Sequence, residues 1–192
     1  MSMRDVYEYC PCFENDKYLL RLISEEDTSD LLKVYSDEKA VPFFNGDNCH
    51  GDDFYYKTVE RMKQAVDFWI FSYKERYFVR WSIVDKDTKE VIGTIELFHR
   101  DADANFYECG LLRLDLRSDY EKASEIENII KLISVTTFDL FYCDKIATKA
   151  ISKATERRNA LYKLGFIVAD KKIVGNDGTE YGDYFILEKG NG

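Results

Sequence analysis

The spacing of apolar positions changes period several times along the chain, and each change marks an element. Residues 18–23 (Tyr-Leu-Leu-Arg-Leu-Ile) read as a short strand. Ser24 with Asp27 three positions on is a helix-start pattern, which predicts a helix through 28–36. Residues 37–53 carry Pro42, Asn45, Gly46, Asn48 and Gly51 and read as a loop. From Tyr55 the apolar residues recur at Val59, Met62, Val66, Trp69 and Tyr73, in steps of three and four that give one face of a long helix.

The period then drops to two. Val79, Trp81 and Ile83 alternate within 78–85, a second strand spans 91–99 after a polar turn, and a third spans 106–116 after a turn at 101–105. Short polar turns between three strands predict an antiparallel meander. Ile126, Ile129, Ile130, Ile133, Thr137 and Phe141 restore helical spacing. Residues 145–151 read as a strand and 155–164 as a helix stopped by Gly165. Residues 166–174 and 181–188 read as a closing hairpin around Gly175-Asn176-Asp177-Gly178. The order β-α-α-β-β-β-α-β-α-β-β predicts an α/β (α+β) fold: a single mixed, mostly antiparallel sheet with helices on both faces. At 192 residues the chain is one domain, 1–192, with 1–16 as an irregular N-terminal extension.

Composition narrows the function. Lys and Arg number 27 against 36 Asp and Glu, a net charge of −9, which disfavours nucleic acid and anionic membranes as partners. No stretch has the roughly 18 continuous apolar residues of a membrane helix, and the first residues do not resemble a signal peptide. The cysteines (Cys10, Cys12, Cys49, Cys109, Cys143) are odd in number and irregularly spaced, a pattern that suits reduced thiols in the cytoplasm. Cys49 and His50 lie among Asp47, Asp52 and Asp53 without a metal-type cysteine pair, so no metal site is expected.

Several segments carry a resemblance. They are Leu20-Arg21-Leu22-Ile23-Ser24-Glu25-Glu26-Asp27, Val34-Tyr35-Ser36-Asp37 with Val41-Pro42-Phe43-Phe44, Val91-Ile92-Gly93-Thr94-Ile95, Tyr107-Glu108-Cys109-Gly110-Leu111, and Asn159-Ala160-Leu161-Tyr162-Lys163-Leu164-Gly165-Phe166. Their joint order resembles the GNAT superfamily of acetyl-CoA-dependent N-acetyltransferases, in particular the branch of ribosomal-protein N-terminal acetyltransferases. The resemblance implies acetyl-CoA as co-substrate and a primary amine of a small molecule or protein N-terminus as acceptor. The acidic surface suggests a cationic acceptor. A homodimer is among the open oligomeric states.

The same resemblance implies site residues. Tyr162 matches the tyrosine that protonates the leaving thiolate. The backbone at Leu112, Arg113 and Leu114 matches the splayed strand that holds the pantetheine arm. The family's glycine-rich phosphate loop corresponds to Glu121-Lys122-Ala123-Ser124-Glu125-Ile126, which has no glycine. Lys122, Ala123, Ser124 and Arg157 are then the candidates for phosphate contact, and Glu121, Glu125 and Glu127 repel an anion there. Weak, salt-sensitive acetyl-CoA binding is the expectation. Glu96 and Glu108, both even-numbered on neighbouring strands, are the candidate bases, with pKa values raised by an apolar cleft. The aromatic residues from Tyr55 to Phe78 read mostly as core, the first of them lining an acceptor pocket. A second reading follows from the missing glycines: a GNAT-fold protein that binds or regulates without catalysis. Acetyl-CoA binding separates the two.

Overall fold

The computed structural model describes residues 5–100 and 106–190. Its main sheet holds eight strands in the order β1-β2-β3-β4-β5-β6-β10-β7. These are β1 (Phe13–Glu14), β2 (Tyr18–Leu22), β3 (Val79–Asp85), β4 (Val91–Arg100), β5 (Cys109–Leu116), β6 (Lys145–Lys149), β7 (Ile167–Val168) and β10 (Tyr184–Glu188). The two remaining strands, β8 (Ile173–Val174) and β9 (Glu180–Tyr181), pair only with each other. Four helices flank the main sheet: α1 (Thr28–Tyr35), α2 (Val59–Lys74), α3 (Ala123–Leu140) and α4 (Thr155–Lys163).

The expected meander is present. β3, β4 and β5 pair antiparallel in succession, and β6 lies parallel beside β5. A parallel neighbour needs a crossover, which α3 supplies. The closing hairpin differs from expectation. β7 and β10 pair at the edge of the main sheet, while Ile173–Val174 and Glu180–Tyr181 form a separate ribbon. Within the expected irregular segment 1–16, Phe13–Glu14 forms an edge strand against β2, and Val6 is buried. The turn expected at 101–105 lies outside the described residues.

The two sheet faces differ in chemistry. Val79, Trp81 and Ile83 of β3, Ile95 and Leu97 of β4, and Leu112, Leu114 and Leu116 of β5 join one apolar cluster with α3 residues Ile126, Ile129, Ile130 and Ile133. The alternate residues Arg80, Ser82, Thr94, Glu96, Arg113 and Asp115 are also buried, and they face α1 and α2. Period-two alternation thus builds an apolar core on the α3 side and a polar floor on the α1/α2 side.

Two glycines are structurally required. A Cβ on Gly93 would come within 2.2 Å of the Asp115 carbonyl oxygen across the β4–β5 pair. Gly165 ends α4 at φ 87°, the left-handed conformation expected of a glycine after a helix.

Candidate active site

Between α2 and the polar floor lies a cavity of 530 Å³. α2 reaches it because its apolar stripe buries Met62, Ala65, Val66 and Trp69 against the sheet, bringing Arg61, Phe68 and Trp69 to the cavity wall. Thr58 caps the helix by accepting from the Arg61 N–H. The loop before α2 adds His50, Asp52, Phe54 and Tyr56, and the sheet contributes Arg80, Glu96, Phe98 and Arg113.

The floor is a buried ionic network. Arg80 and Glu96 are each 1% exposed and paired, and Arg113 Nη1 donates to the other Glu96 oxygen at 2.6 Å. Arg80 Nη1 also donates to the Tyr35 hydroxyl at 2.9 Å, to Thr94 Oγ1 at 3.0 Å and to Asp115 Oδ2 at 3.2 Å. Tyr35 in turn donates to Asp115 Oδ2 at 2.7 Å. Arg113 Nη2 donates to the Asp47 carbonyl at 2.9 Å, and the Asp47 carboxylate is held by Lys149 at 2.7 Å. The Arg80 guanidinium lies 4.0 Å from the Trp69 ring centre, and that of Arg113 lies 5.4 Å from Phe98.

These contacts set the protonation states. Burial alone would raise the Glu96 pKa, but the charges of Arg80 and Arg113 outweigh it and hold the carboxyl below its usual range. For Asp115 burial wins: its pKa is raised despite Arg80 and the Tyr35 hydrogen bond.

The expected pair of bases is therefore not assembled. Glu96 has a lowered pKa rather than a raised one, and both its oxygens are engaged by arginine. Glu108 sits in the turn before β5 at φ 48°, its carbonyl accepting from the Asp144 N–H. Shared parity does not place the two carboxylates on one face. Glu96 pairs with Arg113 and Thr94 with Asp115, so odd residues of β5 share the face of even residues of β4. Glu108 is five residues from Arg113, about 17 Å along an extended chain.

On the opposite side, β5 and β6 diverge. Their pairing runs from Cys109↔Lys145 to Leu112↔Thr148 and stops, while β5 continues to Leu116. Arg157 of α4 enters this fork, donating to the Leu114 carbonyl at 2.7 Å and to the Phe43 carbonyl at 3.3 Å. It also makes a two-pronged pair with Glu121 at 2.8 Å, with both side chains buried. Beside it a second cavity of 530 Å³ is lined by Lys39, Ser118, Lys153, Thr155 and Glu156, among others.

The glutamates at the start of α3 prove largely neutralised. Glu121 is taken by Arg157, Glu125 accepts from Lys17 at 2.8 Å and from the Tyr18 hydroxyl, and Glu127 lies 4.0 Å from Lys163. The carboxylate that reaches the helix start is instead Glu156, whose Oε2 accepts from the Ala123 N–H at 2.7 Å. Among the candidates for phosphate contact, Arg157 is committed to Glu121, and Lys122 and Ser124 are exposed at the first turn of α3. Among the described residues, Lys39 and Lys153 form no ion pair and face the second cavity. Leu112 lies in the last β5–β6 pair, whereas the Arg113 side chain points to the first cavity and not to the fork. Tyr162 is half-exposed on α4, its ring edge-on to Phe185 at 5.3 Å, and Phe185 belongs to the apolar face opposite Glu96. His99, near the end of β4, has its Nδ1 at 2.7 Å from the Phe141 carbonyl.

A forked parallel pair, a groove at the start of α3 and α4, and a cavity on the other face at the same strand form one arrangement. A family model described as "Acetyltransferase (GNAT) domain" matches residues 17–167. The chain belongs to this family. Among curated relatives, this GNAT chain is 22% identical over 156 residues to the uncharacterized N-acetyltransferase YoaA of Bacillus subtilis (strain 168), covering 81% of the chain and 82% of that protein. Solved structures with the same fold include the ribosomal-protein-S5-alanine acetyltransferase of Vibrio fischeri, with a TM-score of 0.66, 20% identity, and coverage of 94% of this chain and 97% of that one. Another is RimL, the ribosomal L7/L12 α-N-protein acetyltransferase in complex with coenzyme A, with a TM-score of 0.69, 11% identity, and coverage of 95% and 100%. The GNAT assignment makes acetyl-CoA the acetyl donor, and the residues present fit it. Beyond Leu112 the strand β5 is unpaired with β6, and Lys39 and Lys153 line the cavity beside that fork.

Proposed function

We propose that this GNAT acetyltransferase takes a primary amine into the aromatic cavity and acetylates it from donor bound in the β5–β6 fork. One observation carries the reading: the two spaces meet on β5. The Arg113 side chain lines the acceptor cavity, and the next residue, Leu114, presents its backbone to the fork. In the transfer the acceptor nitrogen bonds to the thioester carbonyl carbon and the carbon–sulfur bond breaks. The proton lost from nitrogen ends on the departing sulfur.

This reading gives Tyr162 the role of donor to that sulfur, and Lys39, Lys153, Lys122 and the first backbone N–H groups of α3 the phosphates. Glu96, clamped between two arginines, anchors the cavity floor and is not the base. All five cysteines are free thiols, and no helix among the described residues is long and apolar enough to cross a membrane. The cytoplasm is the compartment this reading assigns.

The test is incubation with acetyl-CoA and a panel of primary amines (amino acids, a polyamine, an amino-sugar and a peptide with a free N-terminus), with acetylated products detected by mass spectrometry. Calorimetry with acetyl-CoA alone runs beside it. Acetylation of at least one amine supports the reading. No product and no acetyl-CoA binding would overturn it in favour of a non-catalytic binding module.

A further inference from the structure

The charged groups of the acceptor cavity are paired off within the protein. Arg80 and Arg113 are both paired with Glu96, and Arg61 is paired with Asp52. Each Glu96 oxygen accepts from one of its two arginines, in a side chain that is 1% exposed. Asp52 is committed as well: Oδ2 accepts from the Tyr56 hydroxyl at 2.9 Å and from Arg61 at 3.0 Å, and Oδ1 from the Phe54 N–H at 2.9 Å. At the edge of the space, the Asn48 side-chain oxygen accepts from the Asn176 N–H at 3.0 Å. The second ammonium of a polyamine, or the hydroxyls of an amino-sugar, would therefore give up water for groups already bonded elsewhere.

The apolar lining is the reverse case, because much of it is uncovered. Phe68 of α2, and Tyr77 just beyond that helix, line the cavity mouth and are 55% and 59% exposed. Phe78 and Phe98 continue the wall inward and are half-buried. Phe68 stands edge-on to Phe78 with ring centres 6.4 Å apart. Tyr77 stands the same way to Phe71, itself 49% exposed and outside the cavity. Aromatic surface left wet over several neighbouring rings at the mouth of a cavity is the mark of a binding site. Covering it with an apolar group is favourable in proportion to the area removed from water, and it strips no charged group of its partner.

Resting on the acetyltransferase reading, we infer that the acceptor is an arylalkylamine: a primary amine on a short chain whose remaining bulk is an aromatic ring without a second charge. The ring lies against Phe68, Tyr77, Phe78 and Phe98, and the amine points toward β5, where the donor fork and the cavity meet. Phe68 is the residue that sets the preference, since it lines the cavity, touches Phe78 and still keeps more than half of its surface free for a ligand.

The experiment measures kcat/KM at saturating acetyl-CoA for methylamine, butylamine, phenethylamine, glucosamine, spermidine and a peptide with a free N-terminus. Phenethylamine is expected to exceed methylamine by at least about a hundredfold, with butylamine between them, and to exceed glucosamine and spermidine by at least about tenfold. Phe68→Ala should cut the ratio of phenethylamine to methylamine at least about fivefold, through KM. Val135→Ala, at an exposed site on α3 across the sheet, should leave that ratio unchanged. Equal rates for methylamine and phenethylamine, a preference for glucosamine or spermidine, or an unchanged ratio in Phe68→Ala would overturn the inference. Acetylation confined to the peptide would also overturn it while leaving the acetyltransferase reading intact. Should no amine react, calorimetry with phenethylamine decides the ligand class independently of turnover. Binding weakened by Phe68→Ala supports it; no binding at millimolar ligand, or binding indifferent to Phe68→Ala, overturns it.

Discussion

Replacing Glu96 by glutamine is the perturbation whose size follows most directly from the structure. The amide keeps the shape of the carboxylate but removes the charge shared by Arg80 and Arg113, which are 1% and 8% exposed. Removing one partner of a buried ion pair costs roughly 3–5 kcal/mol, because the remaining charge stays desolvated. Asp115, at 3.2 Å from Arg80, retains part of the compensation, so the lower end of that range is expected. For a domain of this size, roughly 2–4 °C of melting temperature per kcal/mol gives a fall of at least about 6 °C at pH 7. The pH dependence adds a second requirement. The folded pKa of Glu96 lies below that of an unfolded glutamate, so its contribution is complete above the unfolded value and is lost as pH falls through the folded one. Wild type and Glu96→Gln should therefore begin to converge only as pH falls below the unfolded value of about 4.3, and the gap should narrow further toward the folded one. Thermal and urea denaturation followed by circular dichroism at pH 7 and at acid pH measures both effects. A loss under about 1 kcal/mol at pH 7, or a gap that does not close in acid, would refute the clamped-carboxylate account.

Three further outcomes follow from the same geometry. Tyr162→Phe should lower kcat strongly while leaving acetyl-CoA affinity and melting temperature unchanged, because the ring contact with Phe185 is retained and the side chain is half-exposed; unchanged kcat would make Tyr162 a packing residue. Glu156→Gln should tighten acetyl-CoA binding about two- to fivefold and reduce its salt dependence in calorimetry, since the carboxylate on the Ala123 N–H competes for the start of α3; equal affinity at every salt concentration would mean that Glu156 does not compete. Gly93→Ala should destabilise by about 1–3 kcal/mol in urea unfolding, because the new methyl meets the Asp115 carbonyl oxygen at 2.2 Å; an unchanged midpoint would show that β4 and β5 separate freely there.

Local pattern carried most of the fold. Helical steps from Val59 to Tyr73 and from Ile126 to Phe141 correspond to α2 and α3, and alternation in β3 and β4 placed those strands within a residue of their ends. Errors arose where the determining contact is distant. Residues 106–116 read as one strand, yet the chain turns before Cys109 because Glu108 takes φ 48° and its carbonyl receives the Asp144 N–H, a contact made only after α3 has crossed over. Glu96 could be singled out as a charged residue inside an apolar strand, and the same signal was present at Arg80 between Val79 and Trp81 and at Arg113 between Leu112 and Leu114. Reading those three as mutual partners needs the register, which the β4–β5 connection sets and residue parity does not reveal. The Glu156–Ala123 contact is likewise a tertiary fact, joining the starts of two helices 33 positions apart.

The opposed chemistry of the sheet's two faces constrains how this chain can change length. A one-residue insertion within β5 would rotate everything beyond it through half a turn of the pleat. Arg113 and Asp115 would then enter the apolar cluster under α3, and Leu112 and Leu114 would floor the cavity in their place. Both halves of the molecule would fail together, one from buried unpaired charge and the other from loss of the ionic network that floors the cavity. Insertions in pairs, or in the connections outside the strands, preserve the pleat and leave both faces intact. The cavity under α2 can therefore diversify through the loop before α2 and the exposed flank of α2, while the central strands must keep their residue count.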